Sequence, residues 1–369
     1  MTEKRYMERA LQLAEKGRGS TSPNPMVGAV IVKNGVMVGE GYHRAPGEPH
    51  AEIHALDQAG RQAKGATMYV SLEPCAHYGR TPPCTEAIIE AGIKKVVIAI
   101  RDPNPDVEGE GVERLREAGM EVEVGLLEDR ARRLNEIFLK YVKTGRPFVV
   151  LKNAVSLDGK LATKTGESRW LSGEESRQIV HQLRDQLDAI LVGLGTVIAD
   201  NPRLTARTPD GGSDPIRIIL DSNLSVPLES KVLNLKSSAP TIIAAAAGKG
   251  MEEKREKLEE RGVELIRTEG KRVELNQLLQ VLGDREITSL LVEGGSRVNT
   301  SFWEEKLVDK LYYFIAPKIL GGGNAPPAVA GKGVDNVGQA INIVEKEVSR
   351  VGEDILIIGY PNYAADRKG

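Results

Sequence analysis

Positions 50–84 hold His50-Ala51-Glu52, then Pro74-Cys75, then Cys84, so one imidazole, one carboxylate and both of the chain's thiols fall in one stretch. Four of the five histidines, His43, His50, His54 and His77, lie between positions 43 and 77. One imidazole and two thiolates make a zinc donor set, and three protein ligands leave a tetrahedral ion one position for water, as hydrolysis requires. The thiolates favour zinc over magnesium or calcium. His50, Cys75 and Cys84 are therefore the expected ligands of one zinc per chain. Glu52, two positions past His50, points away from the ligand side of a helix and towards the open position. There a carboxylate can take a proton from water and return it to a leaving amine.

A lone Cys or His is more often a packed core residue than a ligand, but chance burial does not account for the joint pattern. A structural zinc would want a fourth protein ligand, for which His77 is available. His54, at i+4 from His50, reads as packing or outer support. The pattern matches the zinc-deaminase signature H-x-E…P-C-x-x-C except that eight residues, Ala76 to Pro83, separate the cysteines instead of two. The plain cytidine or tRNA-adenosine pattern is not met.

These groups need elements to hold them. Tyr6, Ala10, Leu13 and Ala14 form one face of a helix that stops near 17–19. Residues 26–32, the pair Asn34-Gly35 and VMVGEGY predict a β-hairpin. HAEIHALDQAG predicts a helix with His50 in its first turn, ATMYVSL a strand, and Cys75 the next strand-to-helix junction. Positive helix ends at both places favour thiolate and hydroxide. CTEAIIEAG, KKVVIAI, GVERLREAG and MEVEV continue the alternation, which implies an α/β sandwich with a partly parallel sheet.

A charged helical segment over 126–143, closed by Gly145 and Pro147, reads as the bridge to a second α/β domain. There PFVVLKNAVSL, PIRIILD, APTIIAAAA, GVELIR, ITSLLVEGG and KLYYFIAPKIL predict strands, SGEESRQIVHQLRDQL a helix, and DAILVGLGTVI a strand leading to a loop. At 369 residues, two domains, 1–145 and 146–369, are the natural division. A net charge of −2 argues against a dominant nucleic-acid partner, though a small anion needs only a local basic pocket. No apolar run reaches membrane length, and the N-terminal segment lacks the apolar core of a secretory signal. Two cysteines in so long a chain do not make a disulfide framework, so the expected compartment is the cytoplasm.

SPNPMVGAVIV, HRAPGEPHAEIHAL and SLEPCAHYGRTPPC together resemble the deaminase half of the bifunctional bacterial riboflavin-biosynthesis deaminase/reductase family. KNAVSLDGKLA, ESRWLSG, GTVIADNPRLTAR and VEGGSRVNTSF resemble its reductase half. The resemblance covers nearly the whole chain. It implies a cytidine-deaminase-like three-layer sandwich followed by a dihydrofolate-reductase-like domain. The first would deaminate 2,5-diamino-6-ribosylamino-4(3H)-pyrimidinone 5′-phosphate, and the second would reduce the ribosyl group to ribityl with NADPH. By matching motifs, Asn24, His43 and His77 would contact this phosphorylated pyrimidine. Family members are oligomeric, so a homo-oligomer is expected.

In the second half there is no GxGxxG after the first strand, which disfavours an ordinary Rossmann site, and Gly193-Leu194-Gly195-Thr196 is only part of that fingerprint. SLLVEGGSRVNTSF is an apolar strand running into two glycines and a helix, an arrangement that lets backbone N–H groups approach a diphosphate. The resemblance places Gly295, Ser296, Arg297, Val298, Asn299, Thr300 and Ser301 along it, with Ala154, Trp170, Thr196, Asp200 and Ser222 as further cofactor contacts. Ser222 can bond a 2′-phosphate, whereas Asp221, an acid at a strand end, would suit the ribose of NADH. The resemblance also assigns Ser168, Arg184, Leu204, Arg207 and Glu293 to the substrate. A guanidinium fork suits a 5′-phosphate, which favours Arg184 and Arg207 for that group. Lys152 and Glu293 are the candidates for the proton that accompanies hydride transfer to C1′.

Two other classes compete. A zinc-stabilised nucleotide- or RNA-binding protein would give Glu52 no role and would want a basic stripe. A zinc nucleoside or tRNA deaminase fused to an unrelated nucleotide-binding domain would want a base-flipping pocket.

Overall fold

A computed structural model of the chain describes residues 3–78, 82–104, 108–209, 211–247 and 252–363. The chain forms two compact units, Met1–Arg146 and Pro147–Gly369.

The first unit runs α1 (Glu3–Glu15), β1 (Gly28–Lys33), β2 (Val36–Tyr42), α2 (Ala51–Ala59), β3 (Thr67–Val70), α3 (Cys84–Glu90), β4 (Lys95–Ile98), α4 (Glu110–Glu117), β5 (Glu121–Val124), α5 (Glu128–Leu134) and α6 (Glu136–Thr144). Its sheet has the order β2-β1-β3-β4-β5, antiparallel at β2, β1 and β3 and parallel from β3 to β5. Asn34 and Gly35, at φ of 52° and 80°, make the hairpin turn. Helices α1 and α2 lie on opposite faces. A side chain at Gly28 would strike the Ala10 carbonyl of α1 at 2.0 Å, and one at Gly41, which pairs with the next residue Ala29, would strike the Ala51 carbonyl of α2 at 2.5 Å. Small Ala51, Ala55 and Ala59, one turn apart and buried, let α2 sit this close.

The segment over 126–143 is not a bridge. It breaks into α5 and α6 at Asn135 and belongs to the first unit. Ala131 lies in that core, and the buried Asn135 side chain bonds both the N–H and the carbonyl of Met26 at 2.9 Å. Charge along the segment hid these few inward residues.

The second unit runs β6 (Phe148–Ser156), α7 (Glu174–Gln186), β7 (Ala189–Gly193), α8 (Leu194–Asp200), β8 (Ile216–Leu220), β9 (Thr241–Ala246), α9 (Glu252–Glu259), β10 (Val263–Thr268), α10 (Leu275–Asp284), β11 (Ser289–Val292), α11 (Ser296–Glu304), β12 (Lys310–Ala316), β13 (Asn342–Val351) and β14 (Asp354–Asn362). Its sheet has the order β10-β9-β8-β7-β11-β6-β12-β14-β13. It is parallel from β10 to β12, and β14 and β13 close it antiparallel. Val149, Leu151, Leu191, Leu290 and Val292 are fully buried, as parallel strands covered on both faces must be. The stretch read as a loop after β7 is helix α8, with Gly193 as its N-cap. The β13–β14 hairpin was not anticipated. NIVEKEVSRV is mostly exposed and offers little apolar alternation to read. Among the described residues, no helix is long and apolar enough to cross a membrane.

Candidate active sites

In the first unit, His50 caps the N-terminus of α2 in extended conformation. Its Nδ1 lies 3.2 Å from Cys84 Sγ and 3.6 Å from Cys75 Sγ. Tetrahedral zinc bonds of ordinary length would hold such nitrogen–sulfur pairs about 3.6 Å apart. Among the described residues, His50, Cys75 and Cys84 are the single group of three or more metal-ligating side chains, with donor atoms within 4.8 Å of one another. The helix opens at Cys84, where CTEAIIEAG predicts it, with Cys75 in the loop before it, and the Cys84 N–H donates to Cys75 Sγ at 3.3 Å. A side-chain hydrogen bond from the Cys84 thiol holds the Cys75 thiol down, and the same bond together with burial pushes Cys84 up. The His50 imidazole is raised by its bond to Cys75.

The loop bearing Cys75 is pinned from behind. The buried Glu73 carboxylate accepts N–H bonds from Asp102, Gly109 and Val112 at 3.1, 3.3 and 2.9 Å. A side chain at Gly111 would strike the Pro74 carbonyl at 2.1 Å.

Glu52 is buried beside the ligands, and its Oε2 has no hydrogen-bond partner. Burial, then the Cys75 charge, pushes it up to about 7. His43 is buried, its Nε2 3.1 Å from Asn24 Nδ2 and its ring edge-on to His50 with centroids 5.3 Å apart. Burial lowers its pKa. His54 packs on β2, where a side chain at Gly41 would meet its Cβ at 2.5 Å, so it is packing. His77 is exposed and is not one of the grouped ligands, which removes the closed four-ligand site. Gly79, Arg80 and Thr81, within the segment that separates the cysteines, lie outside the described residues.

In the second unit, the ends of β6, β7 and β11 converge. Lys152 and Ala154 share one face of β6, flanked by β11 and β12. Glu293 follows β11, its N–H bonded to the Leu191 carbonyl of β7. Arg184 of α7 grips it with Nε and Nη2 at 2.7 and 3.0 Å, and Lys152 Nζ stands 3.6 Å away. Burial would raise Glu293, but Arg184 and Lys152 outweigh it and hold the carboxyl at about 2. Burial lowers Lys152. The Arg184 fork is thus closed on Glu293, and Nη1 on the Thr205 carbonyl, whereas the Arg207 guanidinium is exposed. Leu204, beside it, is buried with φ of 56°, a left-handed conformation uncommon for a leucine.

Helices α8 and α11 bring their N-termini together, since a side chain at Gly295 would lie 3.7 Å from the Thr196 hydroxyl. Gly294 must be bare because its Cβ would stand 2.5 Å from that of Val298. Ser296 Oγ is buried without a partner. Free N–H groups belong to the first turn only, which covers Ser296, Arg297 and Val298. Asn299 turns inward to Asn153 and the Ala328 carbonyl, Thr300 bonds the Ser296 carbonyl, and Ser301 bonds that of Arg297. Those three side chains are not free for a diphosphate. Ser168 bonds Asp200 at 3.2 Å, and exposed Trp170 stacks under the Arg177 guanidinium at 4.5 Å. Asp221 is buried, with its carboxylate accepting the Val226 N–H at 2.7 Å, whereas Ser222 Oγ accepts the Val273 N–H at 3.3 Å. The sequence reading missed His181, one turn before Arg184, whose Nε2 lies 3.1 Å from Arg207 Nη2. Its spacing from Arg184 was the available signal.

Residues 147–357 match the RibD C-terminal domain, and residues 1–100 the cytidine and deoxycytidylate deaminase zinc-binding region. The riboflavin biosynthesis protein RibD of Aquifex aeolicus is 51% identical over 96% of this chain and 97% of its own length. That of Escherichia coli is 42% identical over 97% and 99%. The solved structure of Acinetobacter baumannii RibD superposes with a TM-score of 0.87 at 40% identity, covering 97% of this chain and 98% of that one. The Thermotoga maritima diaminohydroxyphosphoribosylaminopyrimidine deaminase/5-amino-6-(5-phosphoribosylamino)uracil reductase does so at 0.83, with 38% identity and the same coverage.

Proposed function

This chain belongs to the RibD family of riboflavin-biosynthesis deaminase/reductases, and from that premise we propose how its residues divide the two reactions. The protein is a bifunctional enzyme of riboflavin biosynthesis that deaminates the phosphorylated diaminopyrimidinone and then reduces its ribosyl chain. Residues 1–145 would carry the first step and 146–369 the second, a division supported by the two family matches.

His50, Cys75 and Cys84 would hold one zinc ion, which supplies a Lewis acid with a position open for water. Glu52 takes the proton of the attacking water and delivers it to the amine nitrogen as the C–N bond breaks. A carboxyl at about 7 carries either proton state near neutrality, which general acid–base work requires. Asn24 and His43 present hydrogen-bonding edges to the pyrimidine, and His77 stands at the exposed rim. One observation carries this reading: a buried glutamate whose free oxygen has no partner beside three ligating groups.

NADPH would supply the hydride, lying along Ala154, Trp170, Thr196, Asp200, Ser222 and the first turn of α11. The inward carboxylate of Asp221 supports NADPH over NADH. With Glu293 held ionised, the proton for the atom that gains charge falls to Lys152, which burial makes more acidic. Ser168, Leu204 and Arg207 line the substrate, with Arg207 facing the 5′-phosphate and Arg184 fixing Glu293. A cytoplasmic setting is supported by the sparse cysteines, and a homo-oligomer by the family resemblance.

The test is incubation with the diaminopyrimidinone ribotide, with and without NADPH, following ammonia and NADPH oxidation. Ammonia release without NADPH, lost in Glu52→Gln, is expected. Ammonia release that survives this substitution sinks the deaminase assignment.

A further inference from the structure

We infer that His181 is a positioning residue for the reductase: its neutral imidazole accepts a hydrogen bond from Arg207 and so aims that guanidinium at the substrate's phosphate. The inference rests on the reading that Arg207 meets the 5′-phosphate.

His181 projects from the middle of α7, one turn before Arg184. Its Nε2 lies 3.1 Å from Arg207 Nη2, and Arg207 Nη1 bonds Thr205 Oγ1 at 2.8 Å. A guanidinium only donates, so Nε2 must be the acceptor and the ring's single proton belongs on Nδ1. Both terminal nitrogens of Arg207 are thereby anchored within the protein. An exposed arginine otherwise samples many rotamers, and fixing it removes an entropic cost from binding.

The charges around the ring agree. Arg184 on its own helix and Arg207 from the loop after α8 repel a proton on His181, while Glu293 and the Thr205 carbonyl attract one. Burial and the two arginines win, holding His181 down at about 4. Arg207 is itself lowered, by burial and then by Arg184 and Arg203, against weaker attraction from Asp214 and Glu293. A cation among cations, with a neutral prop, suits an incoming dianion.

The experiment measures kcat and KM of the full-length enzyme on 5-amino-6-ribosylaminouracil 5′-phosphate and on its dephosphorylated form. Arg207→Ala should abolish the preference for the phosphorylated form. His181→Leu should raise KM for that form about tenfold, the scale of one charged hydrogen bond, with kcat within about twofold. His181→Gln, which keeps an acceptor near the Nε2 position, should restore most of the loss. In ¹⁵N-labelled wild type, His181 Nε2 should remain an unprotonated acceptor from about pH 8 to 5, well above its lowered pKa. If Arg207→Ala removes the preference but His181→Leu does not, the His181 role is overturned and the phosphate reading survives. If Arg207→Ala leaves the preference intact, both fall. Should the Leu variant not fold, the Gln variant decides, and a tenfold rise there overturns the inference. So does an imidazole that gains its proton near the ordinary histidine value.

Discussion

Glu52 in the first unit and Glu293 in the second are both largely buried carboxylates at the two proposed sites, and their surroundings drive them in opposite directions. Glu52 faces a thiolate, leaves one oxygen without a partner and rises to about 7. Glu293 faces Arg184 and Lys152, has both oxygens occupied and falls to about 2. The difference separates two uses of one side chain. A carboxyl in which burial and a neighbouring thiolate outweigh a single imidazole can exchange its proton near neutrality, and a carboxyl pinned between two cations serves as a fixed charge.

The largest expected effect breaks the first half of this contrast. Glu52→Gln should lower ammonia release about 10³-fold, roughly 4 kcal/mol in barrier. Metal content and NADPH oxidation on the already deaminated substrate should persist. If both activities fell together, Glu52 would be holding the fold and not moving a proton. Cys84→Ser should remove bound zinc along with ammonia release, checked by metal analysis of the purified protein.

Glu293→Gln addresses the other half. It leaves Arg184 and Lys152 largely buried without their counter-charge, with a cost of about 3 kcal/mol expected in denaturant unfolding. The acid limb of stability should change with it. The folded pKa of Glu293 lies below its unfolded value of about 4.3, so its contribution is complete above that value. It is lost as pH falls from there through about 2. The wild-type and Glu293→Gln curves should therefore converge as the medium is acidified across that window. Curves that stay parallel would mean Glu293 is not held ionised by its neighbours.

The two sites also differed in how far the sequence exposed them. His50, Glu52, Cys75 and Cys84 fall within 35 positions of types that few roles require together, so a candidate donor set with a carboxylate beside it stood out in the sequence. The second site draws Lys152, His181, Arg184, Arg207 and Glu293 from two elements and two connecting loops, across more than a hundred positions. Nothing in IVHQLRDQL shows that Arg184 will close on Glu293 while its neighbour His181 props Arg207; only the fold sets those pairs. The strand–helix alternation was legible because the strands are apolar and short. The break at Asn135 and the exposed β13 carry no such pattern. The inward turn of Asn299 followed from helix phase, which a motif read as a string does not contain.

The smallest effect concerns the choice of cofactor, where adjacent residues make opposite claims. Asp221 by type would select NADH and Ser222 would accept a 2′-phosphate. The Asp221 carboxylate is buried and accepts the Val226 N–H at 2.7 Å, which fixes the turn after β8 and leaves Ser222 facing the loop that contains Val273. Ser222→Ala should therefore raise KM for NADPH about fivefold, near 1 kcal/mol for one hydrogen bond, and leave NADH use as it was. Asp221→Asn should keep the NADPH:NADH ratio within about twofold and instead cost about 1 kcal/mol of stability. A tenfold swing in that ratio on changing Asp221 would mean that the acid leaves its turn to meet the ribose, and the second site would then hold a carboxylate used for ligand recognition as well as one pinned for charge.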